Sequence, residues 1–471
     1  MAHCDPQMSD NANILPPRNT VIKKWNLFNG RGASAGLGCS SNGKIAICTI
    51  GYPPYPNQVT VVAVNESGIV WESFDFTNKV ISSAPLIDSN GGSIIVDDEK
   101  IARLYSNGTF IWSTNTPGGD PFGPTLTKSG AIFIATYGGP ISVYNPESGR
   151  KKDDLYLQGV VFGAQGYYET INTPASYQDR VYVLTNFKPN NPARTDTKKS
   201  GRLYAINIIP SFNAVLGEYD YDLQVAWYYE FAGPSGASPL VIKSEENFGI
   251  FKPVIYFDGS SELIVGASES FIFAVKDEGN RPNLIWNKSF ADSHGFQASF
   301  AKDPRGGFWA FEVQKPDLIH FSEDNGQIMQ RINVDELIDE EGTHRPASAM
   351  TVTGTEENPI MILSAMSTYP YSVFIIAVNL VDGGLLWKYD LKQVSDGNIQ
   401  DISAGQFPII RNEDGISTVV FSTWSNGVFA LGDVCPDITN LIDDYYNNKI
   451  NISKISSYLN NYFLNPECNS N

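Results

Sequence analysis

Short apolar runs, separated by clusters of Gly, Asn, Asp, Ser and Pro, recur along nearly the whole chain, and they have the length and punctuation of strands rather than helices. The stretch from Ile81 to Trp112 contains one full unit. A small-residue and proline segment, Ser82-Ser83-Ala84-Pro85, leads into an apolar pair at Leu86-Ile87, and a turn follows at Asp88-Ser89-Asn90-Gly91-Gly92. Two β-rich runs come next, Ser93 to Val96 and Lys100 to Tyr105, then a Ser106-Asn107-Gly108 turn and a last run carrying Trp112. This spacing predicts four short antiparallel strands joined by tight turns. One such sheet is marginal by itself because neither face is covered, so the unit must stack on copies of itself.

The copies emerge when the turn and the Trp after it serve as a ruler. They read VVAVNESGIVW to Trp71, IARLYSNGTFIW to Trp112, LYAIN with a long insert to Trp227, IFAVKDEGNRPNLIW to Trp286 and IIAVNLVDGGLLW to Trp387. ISVYNPESGRKKDDLYL and LIHFSEDNGQIMQRINV keep the frame without the Trp. The last unit, VVFSTWSNGVFALGD, lacks a final strand, which the segment Val21 to Phe28 can supply. That makes eight units in a ring closed by an N-terminal strand. Trp71 and Trp112 lie 41 residues apart, and wider intervals mark inserted loops. A repeat of about 40 residues with four strands is the mark of a β-propeller. The expected fold class is therefore all-β: an eight-bladed β-propeller over residues 21–435, preceded by a flexible arm at 1–20 and followed by a helical tail at 436–471 packed on the ring. In each blade the Trp should fill the wedge against its neighbour.

The repeated A-x-(D/N)-x-x-x-G-x-x-x-W pattern resembles the PQQ-type eight-bladed propellers of the quinoprotein alcohol dehydrogenase superfamily, over roughly Trp25 to Asp433. The resemblance speaks to fold. That superfamily contains both redox enzymes and cofactor-free scaffolds, so it leaves activity open.

Blade four is expected to carry two excursions, Lys188 to Ser200 and Ile209 to Asp222, both polar or turn-rich. The acidic run Asp335 to Glu341 interrupts blade six, and Tyr52 to Tyr55 and Tyr369 to Tyr371 form aromatic loops suited to a protein partner. In the tail, Ile438, Leu441, Tyr445, Ile452, Ile455, Leu459 and Tyr462 recur at near-helical spacing.

Charge narrows the partners. Lys and Arg number 33 against 51 Asp and Glu, a net −18 with no basic run, which argues against nucleic acid and anionic membrane surfaces. No apolar stretch reaches the length of a membrane span. The N-terminal segment has no cationic end followed by an apolar core; the expectation is a secreted or extracytoplasmic protein if a signal has been removed, otherwise a cytoplasmic one. The cysteines, Cys4, Cys39, Cys48, Cys435 and Cys468, show no metal spacing; Cys435 and Cys468 either staple the tail or remain thiols.

Candidate chemistry comes from the residues just before each inner strand, at one mouth of the channel. His294 and His344 occupy the same slot in adjacent blades and should face one space, with Arg345 able to hold a carboxylate or oxyanion and Asp401 to orient an imidazole. Asp120, Phe122, Glu169, Asn172, Phe296, Gln297 and Gln400 complete the expected ligand-binding set. His320, in a strand slot where other blades have Ala, reads as inter-blade packing. The family resemblance implies PQQ over a vicinal disulfide with a calcium ion, yet no two cysteines are adjacent, so neither PQQ nor calcium is expected. Three functions follow: a monomeric propeller binding a small molecule or glycan at the channel mouth, with scope for cofactor-independent lyase, cyclase or isomerase chemistry on the histidines; a non-catalytic protein-interaction scaffold; or a degenerate quinoprotein dehydrogenase.

Overall fold

A computed structural model describes residues 11–12, 14–18, 21–31, 38–50, 59–77, 84–116, 118–194, 200–242, 262–267, 271–290, 296, 300–391, 403–412, 416–424 and 426–433. They form eight largely antiparallel sheets in chain order, the blades of a propeller. The ring closes as the sequence requires: Val21–Leu27 pairs antiparallel with Val428–Asp433, Val21 opposite Asp433 and Leu27 opposite Val428. The N-terminal strand thus becomes the outer strand of blade eight.

The repeat motif is a joint between blades. Trp71, Trp227, Trp286 and Trp387 each sit across the sheet from an Ala, at positions 63, 205, 274 and 377, and Trp25 sits opposite Ala430 to complete the closing blade. A register shift falls beside each of these pairs, which twists the outer strand and tips the indole onto the following blade. At three joints the indole N–H donates to a carbonyl of the following blade: Trp25 to Glu66 at 3.0 Å, Trp112 to Pro146 at 2.9 Å, Trp286 to Glu323 at 2.7 Å. The motif's Gly lies under the same ring. At Gly149 (φ +69°) and Gly326 (φ +65°) an added Cβ would come within 2.5 Å of Trp112 and 2.7 Å of Trp286, so both the left-handed backbone and the ring's approach demand glycine.

Blades four and five share a charged joint as well. Arg180 lies 2.6 Å from Asp277, both buried, and the same carboxylate accepts from the Tyr182 hydroxyl and the Trp227 indole, each at 2.8 Å. With these donors the buried carboxylate is satisfied, the condition under which an enclosed ion pair is tolerated.

Several expectations are corrected by the coordinates. Within the stretch read as an arm, Asn11–Ala12 runs parallel to Thr351–Gly354 on the inner edge of blade seven, and the Pro17 carbonyl accepts from the Trp387 indole at 2.9 Å. This segment therefore passes between blades seven and eight and takes the role that the next blade's turn plays elsewhere. The supposed excursion at Ile209 to Asp222 is no loop but a ribbon: Ser200–Asn213 and Glu218–Ala232 pair continuously out to Asn213 opposite Glu218. Its polar residues are paid back by blade three, where Lys152 contacts Glu218 at 2.7 Å and Asp220 at 2.6 Å. The acidic run of blade six opens with a short helix, Val334–Ile338, because Asn333 caps the N–H groups of Asp335 and Glu336 and acidic side chains suit a helix's first turn. Cys39 and Cys48 face each other across a hairpin and form a disulfide, a pairing the spacing left unnoticed. Cys435, Cys468 and the tail at 436–471 lie outside the described residues.

Replacing Cys39 and Cys48 together by Ala is expected to lower stability by about 2–3 kcal/mol, since the closed loop is short. Urea unfolding with and without reductant measures it; equal midpoints for both proteins in both conditions would contradict the bond.

Candidate functional site

Seven of the residues singled out at the channel mouth are described by the structure. His344 is wholly buried at the start of blade seven. Its backbone N–H donates to Asp335 Oδ1 at 2.7 Å, its Nε2 lies 2.8 Å from Ser372 Oγ, and its ring meets Phe374 edge-on at 5.4 Å. These contacts tie the blade-six helix to the hairpin of blade seven. Nδ1 has no hydrogen bond and stands 3.4 Å from Asp335. Arg345, half-buried, pairs in the sheet opposite Met366. Phe296 is enclosed in the core shared by blades four to six, edge-on to Phe290 at 4.9 Å. His294, Gln297, Gln400 and Asp401 lie outside the described residues. His320 stacks on Trp309 at 4.6 Å, and its Nε2 lies 2.9 Å from the Gly306 carbonyl. It therefore packs within blade six rather than between blades, and burial holds its imidazole below the ordinary value.

Blades three and four do gather side chains. Asp120 and Phe122 begin the inner strand of blade three, opposite Tyr137 and Ala135. Asn172 donates to the Gly236 carbonyl at 2.7 Å and so links blade four to the start of blade five. Between the Gly138-Gly139 turn of blade three and an additional hairpin of blade four, Gln158–Val161 with Ala164–Glu169, lies a cleft of about 530 Å³. The hairpin register puts Gln158, Val160, Gln165 and Tyr167 on one face, and these residues, with Tyr156 and Asn190, line the cleft. The opposite wall is main chain: a Cβ on Gly139 would fall 2.4 Å from Thr136 Oγ1 and 2.7 Å from the Gly118 carbonyl, so nothing larger than glycine fits.

On the same face Lys188 Nζ reaches Glu169 at 3.3 Å and lies over the rings of Tyr137 at 4.7 Å and Tyr167 at 5.7 Å. Burial lifts the Glu169 carboxyl above the usual carboxylate range, and Lys188, the Gly138 N–H and the Tyr137 hydroxyl pull it only part of the way back. Of the residues expected to bind a ligand, Glu169 and Asp120 thus flank this region. Tyr156, Gln158, Gln165, Tyr167 and Asn190 were missed. Their one sequence signal is the apolar run with a Phe162-Gly163 turn, a hairpin in excess of the four-strand repeat.

Among the described residues no group of three or more His, Cys, Asp or Glu side chains can hold a metal ion, and the disulfide joins cysteines nine positions apart in the core of blade one.

No protein-family model matches the chain, and no curated protein is recognisably similar to it in sequence. Solved structures share its fold. The chain is similar to the quinohemoprotein alcohol dehydrogenase ADHIIG of Pseudomonas putida HK5, with a TM-score of 0.57 and 12% identity, over 92% of this chain and 80% of that one. It is also similar to the C-terminal WD40 domain of Sif2, with a TM-score of 0.50 and 11% identity, over 88% and 98% of the two chains. The expectation of an all-β, eight-bladed propeller fold holds. At these identities the likeness concerns the fold alone. Among the described residues no helix is long and apolar enough to cross a membrane.

Two outcomes follow from these contacts. His344→Ala should lower stability by about 1–3 kcal/mol, as for a buried hydrogen-bonded group, and a urea midpoint equal to wild type would show that the imidazole is not structural. Glu169 behaves oppositely with pH: a carboxyl whose folded pKa exceeds its unfolded one binds more protons when folded, so its contribution is lost as pH rises through the folded value. Glu169→Gln should accordingly gain on wild type as the pH is raised from about 4, the ordinary carboxyl range, to neutrality. A difference in midpoint that stays constant over that range would refute the raised pKa.

Proposed function

We propose that this chain is a non-catalytic binding propeller whose site is the cleft between blades three and four, and that a segment of a partner protein occupies it. The lining carries this reading: tyrosine rings, carboxamides and bare main chain, with the nearby Glu169 and Lys188 engaged with each other. Such walls bind by stacking and hydrogen bonding, and among the described lining residues there is no carboxylate, histidine, cysteine or lysine. The burial of His344 weighs against histidine-based acid/base chemistry at the mouth. Exposed Tyr156, Val160 and Phe162 beside the cleft favour a protein segment over a sugar, and the net charge of −18 favours segments bearing basic residues. The Cys39–Cys48 bond supports an oxidising compartment. The reading requires no cofactor.

Panning the full chain against a random dodecapeptide library, beside a glycan panel, tests it. Selected peptides should bind Tyr167→Ala about tenfold or more weakly than wild type, as expected for an aromatic contact at the centre of an interface, while Met329→Ala on blade six leaves binding unchanged. Retention of glycans alone would instead support the sugar reading. Peptide binding indifferent to Tyr167 would remove the cleft from consideration.

A further inference from the structure

The strand Gln158–Val161 ends its sheet: its one partner among the described residues is Ala164–Glu169. The Tyr168 N–H donates to the Leu157 carbonyl at 2.7 Å, which makes Leu157 and Tyr168 a hydrogen-bonded pair. In an antiparallel ladder such pairs alternate with non-bonded ones, so Gly159 with Gly166 and Val161 with Ala164 are the next bonded pairs. Gln158 and Val160 therefore turn their main-chain groups away from the hairpin. The Gln158 N–H is taken up by the Tyr156 carbonyl at 3.0 Å. What remains on the open edge is the Gln158 carbonyl and both the N–H and the carbonyl of Val160.

Edges of this kind are ordinarily blunted by charge, proline or a bulge. Outer strands elsewhere in the ring follow that rule, with Lys151 to Asp154 in blade three, Arg331 in blade six and Lys388 in blade seven. Gln158–Val161 has no such guard, and it pairs with Ala164–Glu169 without a bulge. Its turn is also built against local preference. Phe162 and Gly163 both have positive φ, +46° and +77°, a geometry that favours Asn, Asp or Gly at the first position. Phe162 holds it with 76% of its surface exposed. The Arg194 guanidinium donates to the Phe162 carbonyl at 2.9 Å and holds the turn, but the exposed ring gains no packing to offset its backbone strain.

We propose that Gln158–Val161 is a strand-addition site: an extended segment of a partner protein pairs with this edge and lays alternate side chains into the cleft, with Phe162 covering its end. The claim rests on the cleft being the binding site and adds the mode of binding. The chemistry selects a peptide main chain, because a donor and two acceptors at strand spacing on one edge are matched by the donors and acceptors of another extended backbone. In antiparallel pairing, the partner residue opposite Val160 exchanges both of its main-chain hydrogen bonds with Val160, and the residue two positions on donates to the Gln158 carbonyl. The residue between them points its N–H outward.

The probe is a fluorescein-labelled peptide selected on the full chain from a random dodecapeptide library, followed by fluorescence anisotropy with each of its residues N-methylated in turn. Strand addition predicts loss of affinity of about tenfold or more at alternate positions and little change between them. Val160→Pro removes the outward N–H without touching a bond inside the hairpin and should weaken the unmodified peptide similarly, while Phe162→Asn should weaken binding and raise the urea midpoint. If Tyr167→Ala weakens the peptide but N-methylation shows no alternation, the cleft stands and strand addition is overturned. If Tyr167→Ala has no effect either, both readings fall. A concentration-dependent dimer of the chain alone that Val160→Pro abolishes would assign the edge to a second copy and overturn the partner peptide.

Discussion

Every blade of this protein is a sheet with two apolar faces, and only its neighbours can cover them. A linear stack would leave two sheets open to water, so the ring must close. Closure is made by Val21–Leu27 pairing with Val428–Asp433, the two ends of the propeller sharing one blade. The tryptophans set the angle at which blades meet. Each indole is placed by the pairing and twist of its own outer strand; Trp112 and Trp286 rest on the following blade's glycine turn and donate their N–H to a main-chain carbonyl there, while Trp227 donates to the Asp277 carboxylate. Where that carbonyl would be missing, between blades seven and eight, Pro17 supplies it and the N-terminal segment becomes part of the joint.

A ring held this way tolerates additions at its rim, because they load no joint. Blade four shows both kinds. At one end Ser200–Asn213 and Glu218–Ala232 run on as a ribbon braced against blade three by Lys152; at the other, an additional hairpin leans over the Gly138-Gly139 turn. The cleft is the gap between that hairpin and the rigid ring, so its walls come from one regular element and one added one. This explains its chemistry: glycines where the ring's turn is tight, tyrosines and carboxamides where the added strands were free to vary. The buried imidazoles of His320 and His344, by contrast, belong to the ring and are consumed in holding it.

Fold and site differ in how far they could be read from the chain. The Trp spacing, the turn glycines and the strand missing from the last unit were enough for eight blades and their closure, since each reflects a local demand of strand, turn or wedge. The polar ribbon of blade four was misread because Asp220 and Asp222 look like turn residues until Lys152, far away in sequence, is placed beside Asp220. Cys39 and Cys48 were left unpaired for a similar reason: their meeting depends on the register of one hairpin. Glu169 was singled out from its position before an inner strand, but its neighbours Tyr137 and Lys188 belong to a strand end of one blade and an extension of the next.

By itself the sequence determined what repeats: strand count, blade count, the joint residues and the acidic balance, all of which follow from short-range periodicity and composition. The tertiary structure alone decided which side chains share a space. It turned His344 inward onto Ser372, laid an extra hairpin beside Gly138-Gly139, and left the Val160 main chain open at an edge. Direction at a loop-to-strand junction depends on the twist and register of several sheets at once, and no local pattern encodes that sum.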